Sequence, residues 1–187
     1  MMNDVALLLA RAYVGTGIAA HGAQKAFGVF GGPGPHGAAQ FMDSLGLKPG
    51  ARYGAAASYN EIASGTMIAL GIGGPLGPAM LASNMIVAAT TVHAKNGFFN
   101  DKGGVEFPGL YMAAALAFAG AGYGRFSLDE TLGLEDLRSH WATGLALAGA
   151  VLGALGVLSQ RRIEPHGSIP GVNGEAAVQP EPAGSPG

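Results

Sequence analysis

Five long apolar stretches, separated by short polar loops, fill most of the chain: residues 5–20, 54–72, 76–93, 107–124 and 141–158. Each is close to the ~17 to 25 residues that a helix needs to cross a bilayer. Their polar and apolar positions do not alternate as the strands of a lipid-facing barrel must. The pattern therefore predicts an all-α fold, a polytopic transmembrane helical bundle. The spans are rich in Ala and Gly, small enough for helix backbones to approach closely, and the last holds Gly149 and Gly153 in GxxxG spacing.

The segments between the spans carry their own signals. Within the long loop 23–52, the run Gly-Val-Phe-Gly-Gly-Pro-Gly-Pro at 28–35 opposes a regular helix, because Gly is permissive and Pro lacks a donor. A turn-rich stretch folding back at the membrane surface is expected there. Residues 38–45 predict a short amphipathic helix that ends at Gly46 and lies in the interface on Phe41, Met42 and Leu45. Ser127, with Glu130 three residues on, forms a capping box and predicts a short surface helix toward Leu137. Residues 163–187 are dominated by Gly, Pro, Ala, Glu and Ser, cannot bury enough apolar surface to offset ordering entropy, and are expected to be disordered.

Composition sharpens this picture. Of the 187 residues, 49% are hydrophobic and only 12% charged, against roughly a quarter charged in soluble domains. The formal net charge is −2 and the ten Lys and Arg are dispersed, so no basic stripe exists to neutralise phosphates and nucleic acid is not an expected partner. Cysteine is absent, which removes disulfides, thiolate metal sites and thiol redox chemistry carried by this chain. The Met-Met-Asn-Asp start lacks the basic region of a secretory leader, so the first apolar segment reads as a retained span. Around five spans, Lys25, Lys48, Arg52, Lys95, Lys102, Arg161 and Arg162 fall on one side, and Arg125 and Arg138 on the other. The positive-inside rule then places the seven in the cytoplasm and the N-terminus outside.

Three spans carry polar groups at matching depth. Arg11 lies ten residues before His21, Glu61 lies well inside the second span beside Asn60, and Asn84 lies nine residues before His93. At ~1.5 Å per residue these groups are about 13 to 15 Å deep. A lone charge there costs at least ~2.5 to 3.5 kcal/mol, so each should face inward and find a partner. Arg11 with Glu61 is the expected pair. It reads either as a buried clamp that fixes helix register or as part of a polar pocket for a quinone-like, proton-linked or small polar ligand.

A second group, His21, Gln24, Lys25, His93 and Glu106, gathers at the proposed cytoplasmic rim. The two histidines there could relay protons or serve as axial haem ligands; the plainer reading makes them interfacial caps bonded to loop carbonyls. No Gly-Lys-Ser/Thr follows the Gly-rich loop, and neither a nucleophile elbow nor HExxH is present. Catalytic residues are not indicated, and no metal site is expected.

The run from His21 through Gln24, Lys25 and Phe27 to Gly28, with Gly31-Gly32 after it, begins a set of ordered motifs. It continues with Glu61, Gly65 and Gly71, then Met85, His93 and Gly97-Phe98-Phe99, and closes on Gly124-Arg125-Phe126-Ser127-Leu128-Asp129. In these features the chain resembles the DoxX family of bacterial membrane proteins over about its first 130 residues. The resemblance implies a bundle of usually four spans in the bacterial cytoplasmic membrane, associated with redox enzymes, with His21, Gln24, Lys25, Glu61 and His93 as matching polar positions. The expected organisation is a DoxX-like bundle over 1–130, a surface segment and fifth span over 131–162, and the tail 163–187.

Three functions compete at this level. The first is an accessory or quinone-interacting subunit of a membrane redox system, partnered by a membrane or peripheral oxidoreductase, with Arg11, His21, Gln24, Lys25, Asn60, Glu61, Asn84 and His93 as ligand-binding candidates. The second is a small-solute or proton-coupled transporter, which would also use an intramembrane carboxylate. The third is a structural partner protein that uses its small-residue helix faces and its tail.

Overall fold

The computed structural model describes residues 2–162; the tail 163–187, expected from composition to be disordered, lies outside the described residues. Seven α-helices make up the described fold: α1 (Met2–Phe27), α2 (Gly34–Ser44), α3 (Gly50–Leu70), α4 (Leu76–Ala88), α5 (Glu106–Ala121), α6 (Leu128–Thr131) and α7 (His140–Ser159). A wider π-type turn, Ala89–His93, and one 3-10 turn, Ala94–Asn96, prolong α4. The five long helices coincide with the five apolar stretches, each shifted by a few residues at its ends.

The packing order follows from small residues. α1 lies against α3 along most of its length, α3 against α4, and α4 is flanked by α5 and α7. Gly15 and Gly65 make the first contact possible: a Cβ on either would come within 2.5 Å of the other's carbonyl oxygen. Two turns further on, a Cβ on Gly22 would stand 2.6 Å from the Ser58 carbonyl. Close backbone approach of this kind is how helices associate where lipid removes the usual hydrophobic drive. The Gly149–Gly153 pair does not play this part: Gly149 faces open space, and Gly153 looks across at Ser83.

The exposed surface has the polarity of a lipid-facing protein. On α7, Trp141 is 84% exposed, Leu145 71% and Leu152 69%, and α1 and α7 are each long and apolar enough to cross a membrane. At ~25 cal/mol per Å², leaving such a face in water would cost several kcal/mol. The inward face of α3, by contrast, is Gly50, Gly54, Ser58, Glu61, Ser64, Gly65 and Ile68, small and polar where a soluble helix would be large and apolar. A central core of Ile18, Ile68, Leu81, Met85, Phe118 and Tyr123 joins α1, α3, α4 and the end of α5.

Two loops differ from expectation. The Gly-rich stretch holds a single 3-10 turn, Val29–Gly31, and α2 begins directly after it, before residue 38. Pro35 is tolerated because it sits in the first turn, where its missing N–H has no helical partner to lose. α2 packs on α3, and its Phe41, Met42 and Leu45 turn to a cavity there, not only to the membrane surface. The N-cap half of the capping box is present, with Ser127 Oγ accepting from the Glu130 amide at 3.3 Å, while the Glu130 carboxylate accepts from Arg138. α6 nevertheless stops after Thr131, and Gly133 follows in left-handed conformation.

Candidate functional site

The antiparallel run of α1 and α3 decides which charges can meet. α1 continues past His21 to Phe27, and α3 starts at Gly50. Counted from those ends at ~1.5 Å per residue, Arg11 is about 24 Å along and Glu61 about 16 Å. The expected Arg11–Glu61 pair therefore does not form. Arg11, 2% exposed, donates from Nη1 to the Ala69 carbonyl and from Nη2 to the Phe126 carbonyl at 2.5 Å. It places a positive charge on the unsatisfied carbonyl end of α3, where the helix dipole favours one.

Arg11 belongs to a structural clasp at that end of the bundle. Asp129 is fully buried, and its two carboxylate oxygens accept from the Gly73 and Gly74 amides, each at 2.8 Å. The Asp129 amide in turn donates to the Gly71 carbonyl at 3.0 Å. Gly71 has φ +68° and abuts Ser127 and the Arg11 guanidinium, a place only glycine fills without strain. Tyr123, in the turn after α5, completes the cluster; burial pushes its phenol above the ordinary tyrosine range, the Asp129 charge adds to this and Arg11 opposes it.

Glu61 instead pairs with Lys25, whose Nζ reaches Oε1 at 2.5 Å. Long helical side chains lean toward their own N-terminus, and for Lys25 that direction is inward. Glu61 is 7% exposed, and its second oxygen, Oε2, is buried with no partner. It stands on the wall of a cavity of about 380 Å³ bounded by α2, α3, the α4 helix with its π-turn, and α7. Lys25, Asn60, Glu61, Ser83, Asn84 and Thr91 supply its polar groups, and Phe41, Leu47, Val87 and Val157 are among its apolar ones.

Several of these polar groups are already committed. Asn60 Nδ2 donates to the Met80 carbonyl at 3.1 Å, joining α3 to α4. Thr91 Oγ1 donates to the Val87 carbonyl at 2.8 Å, in the turn that opens the helix. Asn84 Nδ2 is buried without a partner. Two buried atoms of the wall residues thus lack partners, the acceptor Glu61 Oε2 and the donor Asn84 Nδ2, and Ser83 adds a hydroxyl to the same wall.

Of the eight candidates, Lys25, Asn60, Glu61 and Asn84 line this cavity; Arg11, His21, Gln24 and His93 do not. His21 Nδ1 and Gln24 Oε1 bond to one another at 3.2 Å, and Gln24 Nε2 donates to the Phe30 carbonyl at 3.3 Å. His93 Nδ1 donates to the Gly103 carbonyl at 2.7 Å, and Glu106 Oε2 accepts from the Asn100 amide at 2.8 Å. These four side chains fasten loops. The α7 wall, Gly153 and Val157, was not foreseen, since nothing in an apolar helix says which helix it will cover. Tyr53, Ala56, Ala57 and Asn60 share one helical face by their spacing, which does point to a common surface.

An all-helical bundle with lipid-facing apolar helices and a polar pocket in its interior defines a helical membrane protein. The DoxX family model matches residues 6–94, from α1 to the first residue after the π-turn. No curated protein and no solved structure matches the chain.

Proposed function

We propose that the protein is an accessory subunit of a membrane redox system and that the cavity between α2, α3, α4 and α7 holds a quinone or related amphipathic ligand. One observation carries this reading: a largely apolar cavity of about 380 Å³ has the buried Lys25–Glu61 pair and Asn84 in its wall, and there one Glu61 oxygen and the Asn84 amide nitrogen are buried without partners. Unsatisfied buried groups cost ~1 to 3 kcal/mol each, and a ligand with a polar head and an apolar body removes that cost once either side chain turns toward the cavity. The redox association is what the family resemblance implies. Lys25, Lys48, Arg52, Lys95, Lys102, Arg161 and Arg162 lie in or beside the ends of the helices that meet at the Lys25 end of the bundle, which supports a cytoplasmic mouth in a bacterial cell membrane.

The test is binding of a short-chain alkylquinone and its hydroquinone to the purified protein in lipid nanodiscs, followed by native mass spectrometry. Retention of either, weakened at least tenfold in Glu61→Gln while the variant stays monodisperse, is the expected result. Equal retention by wild type and variant would remove Glu61 from the site.

A further inference from the structure

We infer that the cavity is filled from the bilayer and not from water, by an amphiphile whose apolar chain enters sideways past Phe41, Ala56 and Gly153. The inference rests on the cavity being a ligand site, as proposed above, and adds where the ligand comes from and what its body must be.

The exposure of the wall carries the argument. Three of its residues are exposed, Phe41, Ala56 and Gly153, and none of them has a polar side chain. Every polar side chain of the wall is instead buried or half-buried. Most are also committed: Lys25 and Glu61 to each other, Asn60 Nδ2 and the Thr91 hydroxyl to carbonyls of α4, and the Tyr53 hydroxyl to Gln160. The Ser83 hydroxyl and the Asn60 and Asn84 amide oxygens remain for the polar head of a guest.

Depth and closure agree with this. At ~1.5 Å per residue, Ala56 lies about 5 Å deeper than Tyr53, and Gly153 about 10 Å deeper than Gln160. Both therefore stand on the lipid side of a polar latch that fastens the end of α7 across the cavity. In that latch the Tyr53 hydroxyl donates to Gln160 Oε1 at 2.6 Å, Arg161 Nε to the Leu45 carbonyl at 2.6 Å, and the Arg162 amide to the Gly46 carbonyl at 2.8 Å. Gly46 has φ +80°, and a Cβ on it would overlap the Arg162 carbonyl. A hydrated solute must shed its water to pass the apolar opening, whereas an alkyl chain only exchanges one apolar medium for another.

The chain has no cysteine, so one introduced thiol reports the route. Ala57→Cys places it on the cavity wall and Ser44→Cys on the exposed surface as a reference. Each variant, in nanodiscs, is treated with sulfonatoethyl methanethiosulfonate, which stays in water, or with decyl methanethiosulfonate, which dissolves in lipid; intact mass follows the labelling. At Ala57→Cys the sulfonate should react at least tenfold slower than at Ser44→Cys. The decyl reagent should label Ala57→Cys, and adding Ala56→Phe, a ring at the exposed rim, should slow it at least tenfold. Gly153→Cys, on the opposite wall, repeats the reading should Ala57→Cys fail to fold. Sulfonate labelling as fast as at the reference, or decyl labelling unchanged by Ala56→Phe, overturns entry from the bilayer while the cavity stands as a ligand site. Labelling by neither reagent at either wall position means a sealed cavity and overturns both.

Discussion

Lys25 and Glu61 are 36 residues apart in the chain and meet at 2.5 Å between α1 and α3. The contact joins the shallow end of one helix to the middle of the next, so the ammonium neutralises a carboxylate that the backbone alone has carried into the bilayer. It also divides the carboxylate: one oxygen holds the ammonium and joins the helices, and the other is buried without a partner.

Removing the cation should be more damaging than removing the pair. Lys25→Met leaves a charged carboxylate buried and unpaired. That costs ~3 to 5 kcal/mol for a fully buried pair, and with the Lys25 side chain 31% exposed about 2 to 3 kcal/mol is expected. Lys25→Met/Glu61→Leu should recover most of the loss. Unfolding by graded SDS in mixed micelles measures both, and a double variant as unstable as the single one would show the pair to be stabilising in itself.

The α1–α3 contact should tolerate no side chain at its centre. Gly15→Val adds a branched Cβ where the Gly65 carbonyl and the Ala69 backbone already stand, so the helices must part. A loss of several kcal/mol, or failure to accumulate in the membrane, is expected. Gly149→Val, at a glycine with nothing within 4 Å, should leave the thermal midpoint unchanged in the same detergent.

Much of this arrangement was legible before the structure, and the misses have identifiable causes. The five long helices follow from hydrophobic length, and the shared cavity of Asn60, Glu61 and Asn84 follows from matched depth on neighbouring helices. Arg11 lies deeper than its distance from His21 predicts, because α1 runs six residues past His21. Lys25 reaches further in than its Cα depth predicts, because its flexible stem leans inward. The clasp built on Asp129 gave no periodic signal, since loop carboxylates find backbone amides through tertiary contact. Nor could composition say that α7 covers the cavity, because its Leu and Ala positions look alike on every face.

Arg11 should matter for stability and not for ligand affinity. Arg11→Met releases the Ala69 and Phe126 carbonyls together, and hydrogen bonds from a charged donor are worth ~1.5 to 3 kcal/mol, so a loss of about 2 to 4 kcal/mol is expected. Arg11→Lys, with one ammonium in place of a fork, should recover only part of it. Hydroquinone affinity per folded molecule should match wild type in both. A selective loss of affinity would tie the two ends of the bundle together.

Tyr123 gives an alkaline signature. Burial, with the charge of Asp129, holds its phenol above the ordinary tyrosine value, so the folded protein binds this proton more tightly than the unfolded chain. Its contribution is complete below about pH 10 and is lost as the pH climbs through the raised value. Tyr123→Phe should flatten the fall in thermal midpoint between pH 8 and pH 11. At pH 8 it should cost little, because the Tyr123 hydroxyl is buried without a hydrogen-bond partner. An unchanged alkaline slope would place the responsible group elsewhere.

The α7 wall can be tested without touching a polar residue. A Cβ at Gly153 would lie 3.7 Å from Ser83 Oγ, ordinary contact, so Gly153→Ala should fit and gain up to ~1 kcal/mol from helix propensity. Gly153→Leu places its branch beyond that contact, in the cavity that Gly153 lines with Val157. The space of about 380 Å³ accommodates the side chain, and the added apolar contact offsets any strain. The expected outcome is a thermal midpoint at or above wild type together with at least a tenfold loss of hydroquinone binding. Loss of binding with a lowered midpoint would mean that α7 had been pushed off α4, and the second variant, Gly153→Ala, separates the cases: it should bind as wild type does if the cavity alone is what leucine fills.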